Sequence, residues 1–222
     1  MAATYNYCKN PRAGVNCTDS WSTANLTAVT RETSAPVAMP SDAPACIKAT
    51  KDSTSAYGYM YSPHVTPATD WIPITGGLDY YFGGYYYCAD FEGTYRYLAW
   101  DLYWYDSSGT ACSPVATNAG PNTKTTMADW LLGGYSATAP ADAARLRCRW
   151  RTGPNTADGV ITNGIFFTKV MVVQGTSYPG YFDGASSLGG YTCAWEGTAH
   201  NSFSTKTENV FSGLTVTRLL QG

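Results

Sequence analysis

The chain has 222 residues, with 14 basic and 16 acidic side chains and a net charge of −2. That balance leaves no basic field for nucleic acid, and no run of 18 consecutive apolar residues offers a membrane span. The opening MAATYNYCKN holds neither a basic nor an apolar leader region, so a secretory signal is not expected there and folding in a cytosol is.

Eighteen Tyr, 22 Gly and 12 Pro, with abundant Thr, Ser and Ala, belong to strands and turns rather than helices. The seven cysteines, Cys8, Cys17, Cys46, Cys88, Cys112, Cys148 and Cys193, form no CxxC pair, so zinc is not expected. Mostly free thiols are expected, with Cys88 and Cys148 as small buried hydrophobes inside strand-like runs. Cys8 and Cys17 are spaced for a bond across a short loop, and the sequence leaves that open.

In chain order, residues 24–30, 45–50 and 57–61 read as short strands separated by the Pro-rich connections Ala35-Pro36, Met39-Pro40 and Ala43-Pro44. Residues 80–90, YYFGGYYYCAD, are a stronger strand. Gly83-Gly84 inside it predicts a bulge or a close backbone approach.

Residues 95–105 form the next strand, and alternation divides it. Leu98, Trp100, Leu102 and Trp104 make an apolar face, while Tyr95, Tyr97, Asp101, Tyr103 and Tyr105 make an amphipathic one around Ala99. Asp106-Ser107-Ser108-Gly109 ends it as a turn. Residues 112–125 read as a loop, and Asp129-Trp130-Leu131-Leu132 begins another strand.

Residues 144–151 alternate Leu146, Cys148 and Trp150 against Arg145, Arg147, Arg149 and Arg151. Residues 164–174 make the last strong strand. The remainder, 175–222, is Gly- and Ser-rich with brief apolar runs. It is too short and polar to bury its own core, so it must pack on the sandwich or on neighbours, and 214–219 alternates as a strand suited to pairing with another chain's edge.

No helical period persists for three turns; residues 137–147 come nearest, but Pro140 opposes them. The fold class that follows is all-β, an antiparallel jelly-roll β-sandwich over 1–175 with a short β-containing extension over 176–222. Its expected core is Leu98, Trp100, Leu102, Trp104, Leu146, Trp150, Ile165, Phe167 and Val172, each contributing roughly 1.5–3 kcal/mol on burial.

The tyrosine face has two readings. Rings can stack on the C–H faces of sugars while a carboxylate binds their hydroxyls, which makes Tyr95, Tyr97, Asp101, Tyr103 and Tyr105 candidate carbohydrate-binding residues. The same face suits a covering layer of chain or a partner subunit. Trp71 reads as a rim platform or a packed loop ring. The arginine row can grip phosphate or uronate, or face water, or pair with Asp101 and Asp106 across neighbouring strands.

His64 and His200 lie far apart, GxSxG and HExxH are absent, and carboxylate pairs such as Asp90/Glu92 or Asp101/Asp106 can in principle flank a glycosidic bond, though carboxylates at strand ends are usually just surface. An enzyme is not expected, nor any cofactor.

The order of the pieces carries a resemblance: Asn10-Pro11 and Trp21, then YYFGGYYY, LYWYDSSG, DWLLGGYSATAPADAARLRCRW and FFTKVMVVQG. It resembles the jelly-roll carbohydrate-binding modules of the cellulose- and xylan-binding type. Tyr181-Phe182-Asp183-Gly184 and Trp195-Glu196-Gly197-Thr198, with His200, Ser202 and Ser204, resemble the following stretch in minor tail proteins of phages infecting actinobacteria. The resemblance implies a structural virion component of the tail, made in the host cytoplasm. Its implied partners are other tail proteins, copies of itself and host cell-surface polysaccharide. A stand-alone binding module or receptor-binding adhesin is the alternative, and a glycan hydrolase a weaker one. Such modules often hold a structural calcium, but Arg12 and Lys169 stand near the positions where carboxylates would be needed, so no metal is expected.

Overall fold

The computed structural model describes residues 3–8, 13, 21–51, 57–62, 71–88, 98–119, 127–152, 161–197, 199 and 203–209. Among them every strand pairing is antiparallel and no helix occurs. With strands numbered along the chain, one sheet runs β10 (Leu131–Thr138), β7 (Asp79–Cys88), β12 (Ile161–Gln174), β4 (Cys46–Lys51), β3 (Ala28–Glu32). The second runs β2 (Ser22–Ala24), β5 (Gly58–Ser62), β11 (Arg145–Thr152), β8 (Leu98–Tyr105), β9 (Ala116–Ala119), with the two-residue β6 (Ile72–Pro73) also on β11. From β4 to β12 the long strands pass back and forth between the two sheets, the connectivity of a jelly roll.

The core lies between the sheets. All nine expected core residues are buried. Phe82 meets Trp100 edge-on with ring centroids 4.9 Å apart, and Tyr80 meets Trp104 at 6.1 Å, so the two inner faces interdigitate through aromatic rings. Cys88 and Cys148 are buried as expected, and Cys46, Cys112, Cys148 and Cys193 carry free thiols. Cys17 lies outside the described residues, and so does any pairing it makes with Cys8.

Gly83-Gly84 sits where a close approach is needed. Between the pairs Thr168↔Tyr85 and Met171↔Gly83, β12 has two residues and β7 only Gly84. This is a bulge. A Cβ on Gly84 would come within 2.9 Å of the Val170 Cα. Lys169 absorbs the extra residue with φ 53°. The bulge shifts the side-chain period, so Ile165 and Phe167 before it and Val172 after it all reach the same core.

Two expected elements differ. Residues 24–30 are not one strand: Asn25, at φ 56°, turns the chain between β2 and β3, which belong to opposite sheets. Residues 112–125 are not all loop, because β9 pairs with β8 from Ala99↔Ala119 to Leu102↔Ala116.

Behind the five-stranded sheet lies a second layer. β1 (Thr4–Asn6), β14 (Ser204–Glu208) and β13 (Tyr191–Trp195) form a three-stranded sheet. Phe182 is fully buried with Tyr81, Met171 and Val173 on the sheet's outer face, with Tyr178, Tyr181 and Leu188 packed around them. The alternating stretch 214–219 lies outside the described residues.

Candidate functional site

The uncovered question is the outer face of the six-stranded sheet. Register puts Tyr59 and Tyr61 of β5 beside Arg151 and Arg149 of β11, and Asp101, Tyr103 and Tyr105 of β8 beside Arg149, Arg147 and Arg145. The inner partners of these residues, Met60, Leu102, Trp104, Leu146, Cys148 and Trp150, are buried, so period two sends phenols and guanidiniums outward together.

The guanidiniums lie over the rings. Arg147 is 4.0 Å from the Tyr61 centroid, Arg149 is 4.7 Å from Tyr59 and 4.6 Å from Tyr103, and Arg151 is 5.2 Å from Tyr57. Each such contact is worth about 0.5–2 kcal/mol according to its desolvation. At the end of β8, Trp71 and Tyr105 lie with ring centroids 4.0 Å apart and planes tilted by 41°.

Asp101 sits beneath this layer with its side chain wholly buried. Its Oδ2 accepts from Arg149 Nε at 2.7 Å, lies 2.5 Å from Arg149 Nη2 and 3.5 Å from Arg151 Nε. Its Oδ1 has no hydrogen-bond partner among the described residues. Burial works against the charge on Arg149, but the Asp101 charge and hydrogen bond outweigh it and hold the guanidinium above its ordinary value. Burial is also the main cause that pushes the Tyr103 phenol up to about 12. Arg149 and Arg151 pull it down, and Asp101 and Tyr61 push it up.

Of the five expected sugar contacts, Tyr103 and Tyr105 stand half-buried on this face, Asp101 anchors arginines below it, and Tyr95 and Tyr97 lie outside the described residues. Trp71 joins them through Tyr105. Tyr57, Tyr59 and Tyr61 also belong here; their spacing of two in YGYMY was the signal, and only the β5–β11 register places them beside the arginines.

The arginine row pairs with Asp101 but not with Asp106 among the described residues. Asp106 Oδ1 accepts from Ser108 N at 2.9 Å, Ser108 Oγ at 2.6 Å and Thr110 N at 2.9 Å, closing the predicted turn. The Ser108 hydroxyl is the first cause of that carboxyl's lowered pKa. Both carboxylates are thus engaged by the fold. Asp90, Glu92, His64 and His200 lie outside the described residues.

A cleft of about 760 Å³ opens on the other side of the molecule between Tyr85, Lys169, Tyr178, Tyr181, Asp42 and Ser186. The Lys169 ammonium donates to the Ser41 carbonyl and lies 5.6 Å from the Tyr181 ring centroid. A hard cation needs oxygen ligands. Lys169 instead brings its own positive charge to the place where the resemblance puts a carboxylate, so the residues present do not fit calcium there. Arg12 lies outside the described residues.

No protein-family model matches the chain, and no curated protein does. Among solved structures it is similar to the enzymatically active domain of tailspike protein 4 of bacteriophage CBA120, with TM-score 0.55 and 14% identity over 76% of this chain and 21% of that one. It is similar also to an arabinose-bound α-L-arabinofuranosidase, with TM-score 0.53 and 13% identity over 77% of this chain and 26% of that one. The chain spans only about a fifth to a quarter of those two proteins, and the likeness is one of fold alone. A family 16 carbohydrate-binding module aligns at TM-score 0.46 and 15% identity, over 76% of this chain and 99% of that one.

Proposed function

We propose that the chain is a non-enzymatic polysaccharide-binding β-sandwich of a phage tail, and that the outer face of the six-stranded sheet is its glycan surface. The observation that carries this reading is the layer of tyrosines and arginines held in register across β5, β11 and β8. Sugar C–H faces would lie on the rings of Tyr103, Tyr105 and Trp71, and phenol and guanidinium donors would meet the hydroxyl rim. The cation–π contacts hold these side chains in place beforehand, which lowers the entropy lost on binding. The tail assignment draws on the sequence resemblance of residues 181–184 and 195–198. Its partners would be neighbouring tail proteins, further copies of this chain and host cell-wall polysaccharide.

Affinity electrophoresis and cell-wall pull-down test the glycan surface. Tyr103→Ala and Tyr105→Ala should each weaken binding about tenfold, which is about 1.4 kcal/mol. Failure of the unaltered chain to retain any glycan would overturn the reading. Mass spectrometry of purified virions tests the tail assignment, and absence of the chain from intact particles would refute it.

A further inference from the structure

We infer that the glycan taken by this face is anionic, a polysaccharide bearing carboxylate or phosphate groups along its length. The inference rests on reading that face as a glycan surface.

Among the described strands, charge on the face is lopsided. Arg145, Arg147, Arg149 and Arg151 all project there, and Asp101 is the one carboxylate that the described residues of β2, β5, β8 and β11 send to the same side. The whole chain is net negative, so this concentration does not follow from composition. Asp101 is engaged by Arg149 and Arg151.

Arg147 shows the imbalance most clearly. Its Nη2 lies 3.4 Å from the Ser22 hydroxyl, its Nε is buried without a hydrogen-bond partner among the described residues, and its guanidinium is held over the Tyr61 ring. Keeping a half-buried guanidinium with no carboxylate against it among the described residues costs free energy that a neutral sugar hydroxyl, which brings no opposite charge, returns only in part. A carboxylate or phosphate returns more, through paired N–H donors on a plane already fixed by stacking. Successive arginines on β11 are about 7 Å apart along the strand. That row suits a polymer with recurring charge better than a single small anion. Nucleic acid is the less favoured polyanion, because the chain has no wider basic field to gather it.

The test compares binding of the full chain to polygalacturonate fragments, poly(glycerol phosphate), xylohexaose and single-stranded DNA, each at about 50 and about 500 mM NaCl. One of the two anionic glycans should bind at least about tenfold more tightly than xylohexaose and lose about tenfold at the higher salt. Which of them does so distinguishes carboxylate from phosphate. Arg147→Gln should lose at least about fivefold toward that polymer while staying folded, with a cooperative thermal transition within several degrees of that of the unaltered chain. If this variant does not fold, the polymer and salt comparisons on the unaltered chain decide alone. Xylohexaose bound as tightly and independently of salt would overturn the inference while leaving the glycan surface standing. Tighter binding of single-stranded DNA would overturn it too, and retention of none of the probes would remove both readings.

Discussion

Asn6 is a fully buried amide that joins three parts of the chain. Its Nδ2 donates to the Phe182 carbonyl at 3.1 Å and to the Val170 carbonyl at 3.4 Å, and its Oδ1 accepts from Cys8 N at 3.0 Å and Val172 N at 3.1 Å. β1, the centre of β12 and the C-terminal segment therefore meet at one side chain. Asn6→Ala leaves two backbone donors without their acceptor in a site closed to water. The expected loss of stability is about 2–4 kcal/mol, read from urea unfolding, with Asn6→Asp failing to restore it because a carboxylate has no donor for the carbonyls. Asp183 is a comparable device: its carboxylate accepts from Tyr181, Ala185 and Ser186 and so shapes the turn in YFDG. The residues that resemble the tail-protein stretch thus have local structural tasks. Gly184 is one of them, since a Cβ there would come within 2.5 Å of the Trp195 ring.

At the scale of elements, β7 and β10 show how a tyrosine-rich sheet stays tight. Gly83 faces Gly134 and Gly84 faces Gly133 in the register. A Cβ on Gly83 would come within 2.4 Å of the Gly133 carbonyl and 2.3 Å of the Tyr81 hydroxyl. Gly83→Ala should therefore cost about 1–3 kcal/mol and lower the melting temperature by several degrees. Gly189→Ala, where a Cβ would meet nothing within 4 Å, should leave it unchanged. Calorimetry on the two variants checks the contrast.

Much of this level was legible from residue order, because alternation is local. β8 and β11 and their buried faces follow from period two, and Gly83-Gly84 announced its close approach. What was not legible depends on partners distant in sequence. β9 has no pattern of its own and is a strand because β8 offers it an edge. The break at Asn25 depends on neighbouring strands joining opposite sheets. The tyrosine–arginine layer of the candidate site needs the registers of three strands at once, although each strand's own alternation was plain.

At the scale of the molecule, one face of the sandwich is covered and the opposite one is not covered by any described strand. Phe182 closes the covered side over Tyr81, Met171 and Val173. Phe182→Ala should remove about 3–5 kcal/mol of packing, mostly from the outer layer. Limited proteolysis should then cut within 176–209 before the sandwich opens, and resistance equal to that of the unaltered chain would show that the layer is held by other contacts.

The place of β12 in the five-stranded sheet, between β7 and β4, bears on biosynthesis. All strands of the six-stranded sheet have been made by Thr152, yet Trp100 and Trp150 need Phe167 from β12 as a cover. At roughly 5–20 residues per second, the ribosome takes roughly 1–4 s to travel from Thr152 to the end of β12. For that interval Trp100 has its cover from Phe82 and Tyr86 of β7 but not the Phe167 ring that both tryptophans share, so the last side of the aromatic core closes only when β12 is complete.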